Sequence, residues 1–208
     1  MPLRNRVTPL GELIATPARG GVYGNRGCLH DAAGEIRRRW NGRRWIACRL
    51  EFKGWHRSPL LQPGRFTELF FLDEVTAFAA GHRPCALCRR ADFDRFRAIW
   101  SELHPGDRSV DDVDRTLHAE RVELATGERR LHRATLASLP DGAFLLSADG
   151  PRLLWEGRLW LWAPAGYRAP STLPHGDVSL LTPPSLASVL ASGWSPVVPL
   201  VGNRRPTA

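Results

Sequence analysis

The chain has one lysine among its 29 basic residues, four cysteines in 208 positions, and no apolar run near the length of a membrane span. Four cysteines are too few for a disulfide scaffold, so a Cys-x-x-Cys pair reads first as a metal or redox element. A spanning helix needs about 20 apolar residues, and the first residues lack the charged-then-apolar layout of a secretory signal. The expectation is therefore a cytoplasmic protein without a membrane partner. The scarcity of lysine makes arginine the working cation. That suits bidentate phosphate contacts, but a GC-rich genome explains it equally well. Internal repeats and low-complexity segments are absent, as are a Gly-Lys-Ser/Thr phosphate loop, a nucleophile motif and a paired-carboxylate pattern.

What is present is unevenly placed. Residues 1–60 carry 12 of the 29 Lys and Arg against 4 of the 21 acids, a local excess of +8, while the remainder balances at 17 of each. Clustered positive charge of this kind points to a polyanion partner, since phosphates reward it and mere solubility does not require it. With 43% apolar residues the chain can bury a core.

Residues 1–30 are punctuated by Gly20, Gly21, Gly24 and Gly27 and read as loop. The pair Asn41-Gly42 between the β-compatible runs 35–40 and 43–50 predicts a hairpin with a type I′ turn. Such a hairpin sets Trp40 opposite Arg43, Arg38 opposite Trp45, and Arg39 opposite Arg44. Cation-π contact explains the first two pairs. Arg39 across from Arg44, with Arg37 on the same face, calls for phosphate or for acids from elsewhere in the chain. Arg37, Arg38, Arg39, Trp40, Arg43, Arg44 and Trp45 are thus the candidate nucleic-acid-binding residues.

A strand over 66–72 leads to a helix capped by Asp73 and ended by Gly81. Cys85 and Cys88 follow at once, spaced so that a tight turn brings two thiolates to one ion. A redox pair is the rival reading, but no parallel βαβ pattern surrounds it. Phe93, Phe96, Trp100 and Leu103 predict an amphipathic helix over 90–103, and Pro105-Gly106 marks a boundary between regions 1–104 and 105–208. Beyond it, the pattern predicts a helix over 109–122, short strands over 130–168 with a turn at Glu156-Gly157, and a last helix from Thr182 to Gly193. Trp155, Trp160 and Trp162 alternate with Leu159 and Leu161 as in a strand buried on both faces. The fold class is α+β: a small zinc-stapled hairpin and helix module, then a mixed antiparallel sheet with flanking helices.

The run Phe70-Phe71-Leu72-Asp73-Glu74-Val75-Thr76-Ala77-Phe78-Ala79-Ala80-Gly81-His82-Arg83-Pro84-Cys85-Ala86-Leu87-Cys88 resembles the closing segment of the zinc-binding domain of the Ada DNA alkylation repair protein. Gly81, Arg83, Pro84, Cys85 and Cys88 match, and the resemblance covers roughly residues 40–100. It implies zinc, a DNA partner and a repair-related role, and it makes Cys48 the third ligand. The family's first pair is Cys-x-x-x-Cys, whose first cysteine accepts a methyl group; here the later position is Phe52, so a methyl-accepting Cys48 is not implied. The fourth ligand is then sought among Cys28, His30 and His56, with Cys28 first. His82 reads as a packed side chain. The 105–208 region offers His118 and Glu120 for an enzyme acting on nucleic acid, although residues two apart on a helix face different ways. Asp111 and Asp112 are accounted for by the helix dipole. The leading expectation is a zinc-containing, DNA-directed protein, ahead of RNA. Its rivals are that enzyme and a zinc-stapled module for an acidic protein.

Overall fold

Asp73 starts the helix expected after the 66–72 run. Its side chain accepts from the Thr76 amide at 2.9 Å and from the Thr76 hydroxyl at 2.7 Å, supplying the cap that an unsatisfied helix N-terminus requires. Helix α1, Glu74–Ala79, has all six residues buried. In the computed structural model, which describes residues 1–55, 58–172 and 176–199, this short helix lies where three apolar clusters meet. Val75 and Ala79 pack with Phe144, Leu153 and Leu181. Ala77 packs with Val7, Leu69 and Phe71. Phe78 packs with Phe96, Trp100, Val113 and Leu186.

Two six-stranded sheets flank it. The first is built from β1 (Arg4–Val7), β2 (Leu13–Ala15), β3 (Val22–Asn25), β4 (Ile46–Cys48), β5 (Leu69–Phe71) and β6 (Arg83–Pro84), in the order β2-β1-β5-β3-β4-β6. Its β1–β5 and β4–β6 pairs are parallel. The second is wholly antiparallel, with β7 (His132–Thr135), β8 (Phe144–Ser147), β9 (Gly150–Trp155), β10 (Arg158–Ala163), β11 (Gly166–Ser171) and β12 (Asp177–Leu180) in the order β11-β10-β9-β8-β12-β7. Helices α2 (Arg90–Leu103), α3 (Val110–Arg121) and α4 (Pro184–Ala191) complete the α+β fold. Ser109 and Asp112 form a reciprocal capping box at the start of α3.

Three expectations are corrected. Residues 1–30 are not loop: they supply three strands. Their glycines allow close backbone approach, and a Cβ on Gly24 would stand 2.3 Å from the Ile46 carbonyl oxygen in the neighbouring strand. Nor do 35–40 and 43–50 form a hairpin. β4 takes β3 and β6 as partners, while the amides of Arg37 and Arg38 turn to the Leu29 carbonyl and that of Asn41 to Arg26. The sheet offers β4 two neighbours and a buried face, which outweighs a local turn preference. The Glu156-Gly157 turn does form, with Trp155 paired to Arg158. Trp155, Trp160 and Trp162 are only half-buried, so β10 is not enclosed on both faces.

The turn at Pro105-Gly106 follows α2 as expected, yet two clusters draw on residues from both sides of it. Gly81 fixes the chain between α1 and the cysteines. Its φ of +85° is left-handed, and an added Cβ would lie 2.6 Å from Cδ of Arg121. Gly81→Ala should therefore lower stability by about 2 kcal/mol or more, combining left-handed strain with a displaced buried side chain. Denaturant titration against the parent measures this, and an unchanged midpoint would contradict the packing described.

Candidate metal centre and basic cavity

The knuckle forms because β4 and β6 run side by side. The Cys85 amide donates to the Ala47 carbonyl at 2.9 Å, which sets Cys85 beside Cys48. The Leu87 amide then points at Sγ of Cys85 and the Arg49 amide at Sγ of Cys88, each at 3.4 Å. All three sulfurs lie within 4.8 Å of one another and are buried. An ion about 2.3 Å from each sulfur sets neighbouring sulfurs about 3.8 Å apart, so the group can hold a metal ion. Crowding separates their acidities. The hydrogen bond from Cys48 holds the Cys85 thiol down to about 5 against the effect of burial. Cys48 is pushed up, first by donating that bond and then by burial.

Tyr23, Phe52 and Phe70 pack around the sulfurs. Phe52, at the position where a further thiolate was sought, closes the site with an apolar ring. Beside Cys48 lies a cleft of about 320 Å³, lined by Arg49, Glu74, Arg89 and Asp92 among others. The remaining ligand candidates are not in the group. Cys28 Sγ is 3.5 Å from the His30 carbonyl oxygen, and the His30 ring is engaged by Thr67 at 2.6 Å and by the Gln62 carbonyl at 3.1 Å. His56 lies outside the described residues. Among the described residues, these three cysteines form the one such group.

Purified under reducing conditions, the protein should hold close to one metal ion per chain. Cys48→Ser, Cys85→Ser and Cys88→Ser should each lower that content and the melting temperature together, because ligand binding contributes to folding. Cys28→Ser should change neither. Elemental analysis finding no metal in the parent would overturn the assignment.

The basic residues gather elsewhere. Seven arginines and two glutamates are among the residues lining a cavity of about 730 Å³. Arg26 and Arg121, 2% and 1% exposed, form its deep wall. Their guanidinium carbons lie 4.8 and 4.0 Å from the ring centre of buried Trp45. Arg26 donates to the Gly11 carbonyl at 2.8 Å and Arg121 to that of Gly81 at 2.7 Å and that of Arg43. Arg129 donates to the carbonyls of Ala79 and Leu181. Among the described residues none of the three forms an ion pair, and each has a buried Nε without a hydrogen-bond partner. Burial holds Arg26 down to about 9, with the Arg129 charge adding to it, and burial holds Arg129 down to about 10. Arginine's basicity is high enough that both keep their protons at neutral pH, so they remain buried cations.

The exposed arginines divide between rim and surface. Arg37, Arg38 and Arg39 line the cavity with Trp40. Arg37 also pairs with Asp31 at 2.6 Å, and Arg39 donates to the Gly127 carbonyl at 3.3 Å. Without the hairpin, Arg39 does not face Arg44. Arg44 turns instead to Asp111 at 3.5 Å, outside the cavity, and Arg43 enters through its carbonyl alone. Sequence reasoning missed Arg26, Arg121, Arg129 and the Arg83–Asp114 pair, a buried fork with contacts of 2.8 and 2.7 Å. Arg83 stood within the matched segment; the other three, scattered along the chain, carried no local signal.

The two catalytic candidates do not meet. Glu120 accepts from the amide and hydroxyl of Ser185 at 3.0 and 2.5 Å, which ties α3 to the start of α4. His118 packs edge-on to Trp40 and Trp45, at ring separations of 5.9 and 6.3 Å. Burial first, then Arg121 and Arg43, hold His118 down to about 4. The unfolded chain therefore takes up this proton first as pH falls from about 6.5, and the folded state is relatively destabilised down to about pH 4. The ring resonances of His118 should titrate near pH 4 by NMR; a midpoint above 6 would mean that the ring is solvated. No family model, curated protein or solved structure matched the chain.

Proposed function

We propose that this chain is a zinc-stapled nucleic-acid-binding protein, DNA ahead of RNA, in which Cys48, Cys85 and Cys88 hold the zinc and the arginine-lined cavity receives phosphate. The observation that carries this reading is the convergence of Arg26, Arg121 and Arg129, without an ion-pair partner among the described residues, on a cavity rimmed by Arg37, Arg38 and Arg39. Buried cations without partners are unfavourable in a folded protein, and a phosphate oxyanion, with several acceptors, suits planar guanidiniums. The all-sulfur donors narrow the metal to thiophilic ions such as zinc, Cu(I) and iron, and the likeness of Gly81-His82-Arg83-Pro84-Cys85-Ala86-Leu87-Cys88 to the Ada zinc-binding domain favours zinc among them. The metal acts at a distance: it fixes β4 to β6, and β4 is reached directly from Trp45 in the cavity wall.

Titration against labelled single-stranded and duplex oligonucleotides at several salt concentrations tests the proposal. Arg38→Ala and Arg39→Ala should each weaken binding and lower the magnitude of the salt slope by about one. Arg44→Ala, which removes an exposed pair with Asp111 worth little and a 4.0 Å approach to Asp114, both outside the cavity, should leave affinity and slope unchanged. Binding that is absent at low salt, or that responds to Arg44 and ignores Arg38 and Arg39, would overturn the proposal.

A further inference from the structure

We infer that the cavity takes a chain end, a terminal phosphate monoester with its own base against Trp40, instead of the phosphodiester run of a continuous strand; the inference rests on the nucleic-acid reading above and narrows it. Depth is the first argument. Arg26 and Arg121 sit at the wall with 2% and 1% exposure, whereas both lining glutamates, Glu12 and Glu128, are exposed. Two buried guanidiniums therefore lie within, while the acids stay at the mouth among the exposed rim arginines. An internal phosphodiester carries nucleosides on two of its oxygens, and the strand must both enter and leave. A terminal phosphate enters end-on and presents three free oxygens.

Charge is the second argument. A phosphodiester brings one negative charge, whereas a monoester brings about −1.5 to −2 near neutral pH. The seven lining arginines exceed the two glutamates by five charges, and all of those arginines but Arg37 lack an ion-pair partner among the described residues. The guanidinium N–H donors not already given to backbone carbonyls can match the oxygens of a single phosphate.

The third argument is the wall next to the charge. Trp45 is covered by Arg26 and Arg121, but Trp40 is half-buried, lines the cavity and stands 6.3 Å from Trp45 at 43°. An indole beside buried guanidiniums offers a base a surface to stack on. A volume of about 730 Å³ lies within the range of small-ligand sites, so one nucleotide fits within it and a duplex does not.

The full-length, metal-loaded protein would be titrated by tryptophan fluorescence and by calorimetry. The ligands are one oligonucleotide with a phosphate at its 5′ end, at its 3′ end or at neither, the matching nucleoside monophosphates, and inorganic phosphate. At least one phosphorylated end should bind about ten-fold tighter than the hydroxyl-ended strand, and a nucleoside monophosphate should compete for that site. Trp40→Ala should weaken the mononucleotide about ten-fold while sparing inorganic phosphate. Arg26→Gln should weaken both. If that variant does not fold, the parent's melting temperature in nucleoside monophosphate replaces it: a rise supports the inference, and no change counts against it. Equal affinity for phosphorylated and hydroxyl ends would overturn the inference and leave nucleic-acid binding standing. Mononucleotide binding without oligonucleotide binding would uphold the cavity's ligand class and overturn the wider proposal. Binding of neither would overturn both.

Discussion

The guanidinium of Arg121 is the contact through which the parts of this molecule are held in one geometry. It reaches from the end of α3 to the Gly81 carbonyl, ahead of the cysteine knuckle, and to the Arg43 carbonyl, in the loop before β4, while covering the ring of Trp45. A lysine in its place has one nitrogen and no planar face, and would lose either a carbonyl or the indole. Cation, aromatic ring and two backbone carbonyls are thereby fixed together.

The sulfur cluster and the wall of the cavity at Trp45 belong to one segment of sheet. β4 contributes Cys48 at one end and follows directly from Trp45 at the other, while β6 begins with Arg83 and runs into Cys85. Arg83 is itself locked by Asp114 of α3, the same helix that ends at Arg121. The sulfur cluster, the buried fork and Arg121 are consequently successive ties along two parallel strands and the residues that lead into them.

Much of this was legible in the sequence where the signal was local. Asp73 with Gly81, Ser109, the apolar spacing of 93–103 and the Glu156-Gly157 turn each determine their elements through contacts within a few residues. The knuckle was legible for the same reason, since Cys85 and Cys88 need only one turn, and Cys48 followed from the resemblance. What could not be read was pairing at long range. Asn41-Gly42 is a strong hairpin signal, but β4 gains more from β3 and β6, so the arginines flanking that turn separate into a rim at 37–39 and a surface pair at Arg44. The deep arginines come from 26, 121 and 129, brought together by both sheets and α3. Their burial has no sequence pattern, because arginine is usually solvated and its neighbours here are backbone carbonyls.

The placement of α1 bears on how the molecule comes apart. A helix of six residues is too short to persist alone in water, yet its side chains are shared among three apolar clusters, so none of these cores keeps its full complement once another has opened. Melting should accordingly be a single cooperative event in which both sheets are lost together, with no partly folded species carrying one sheet intact. Strain introduced at the sulfur cluster would then be felt as far away as the antiparallel sheet, along a path of packed atoms only two helical turns long.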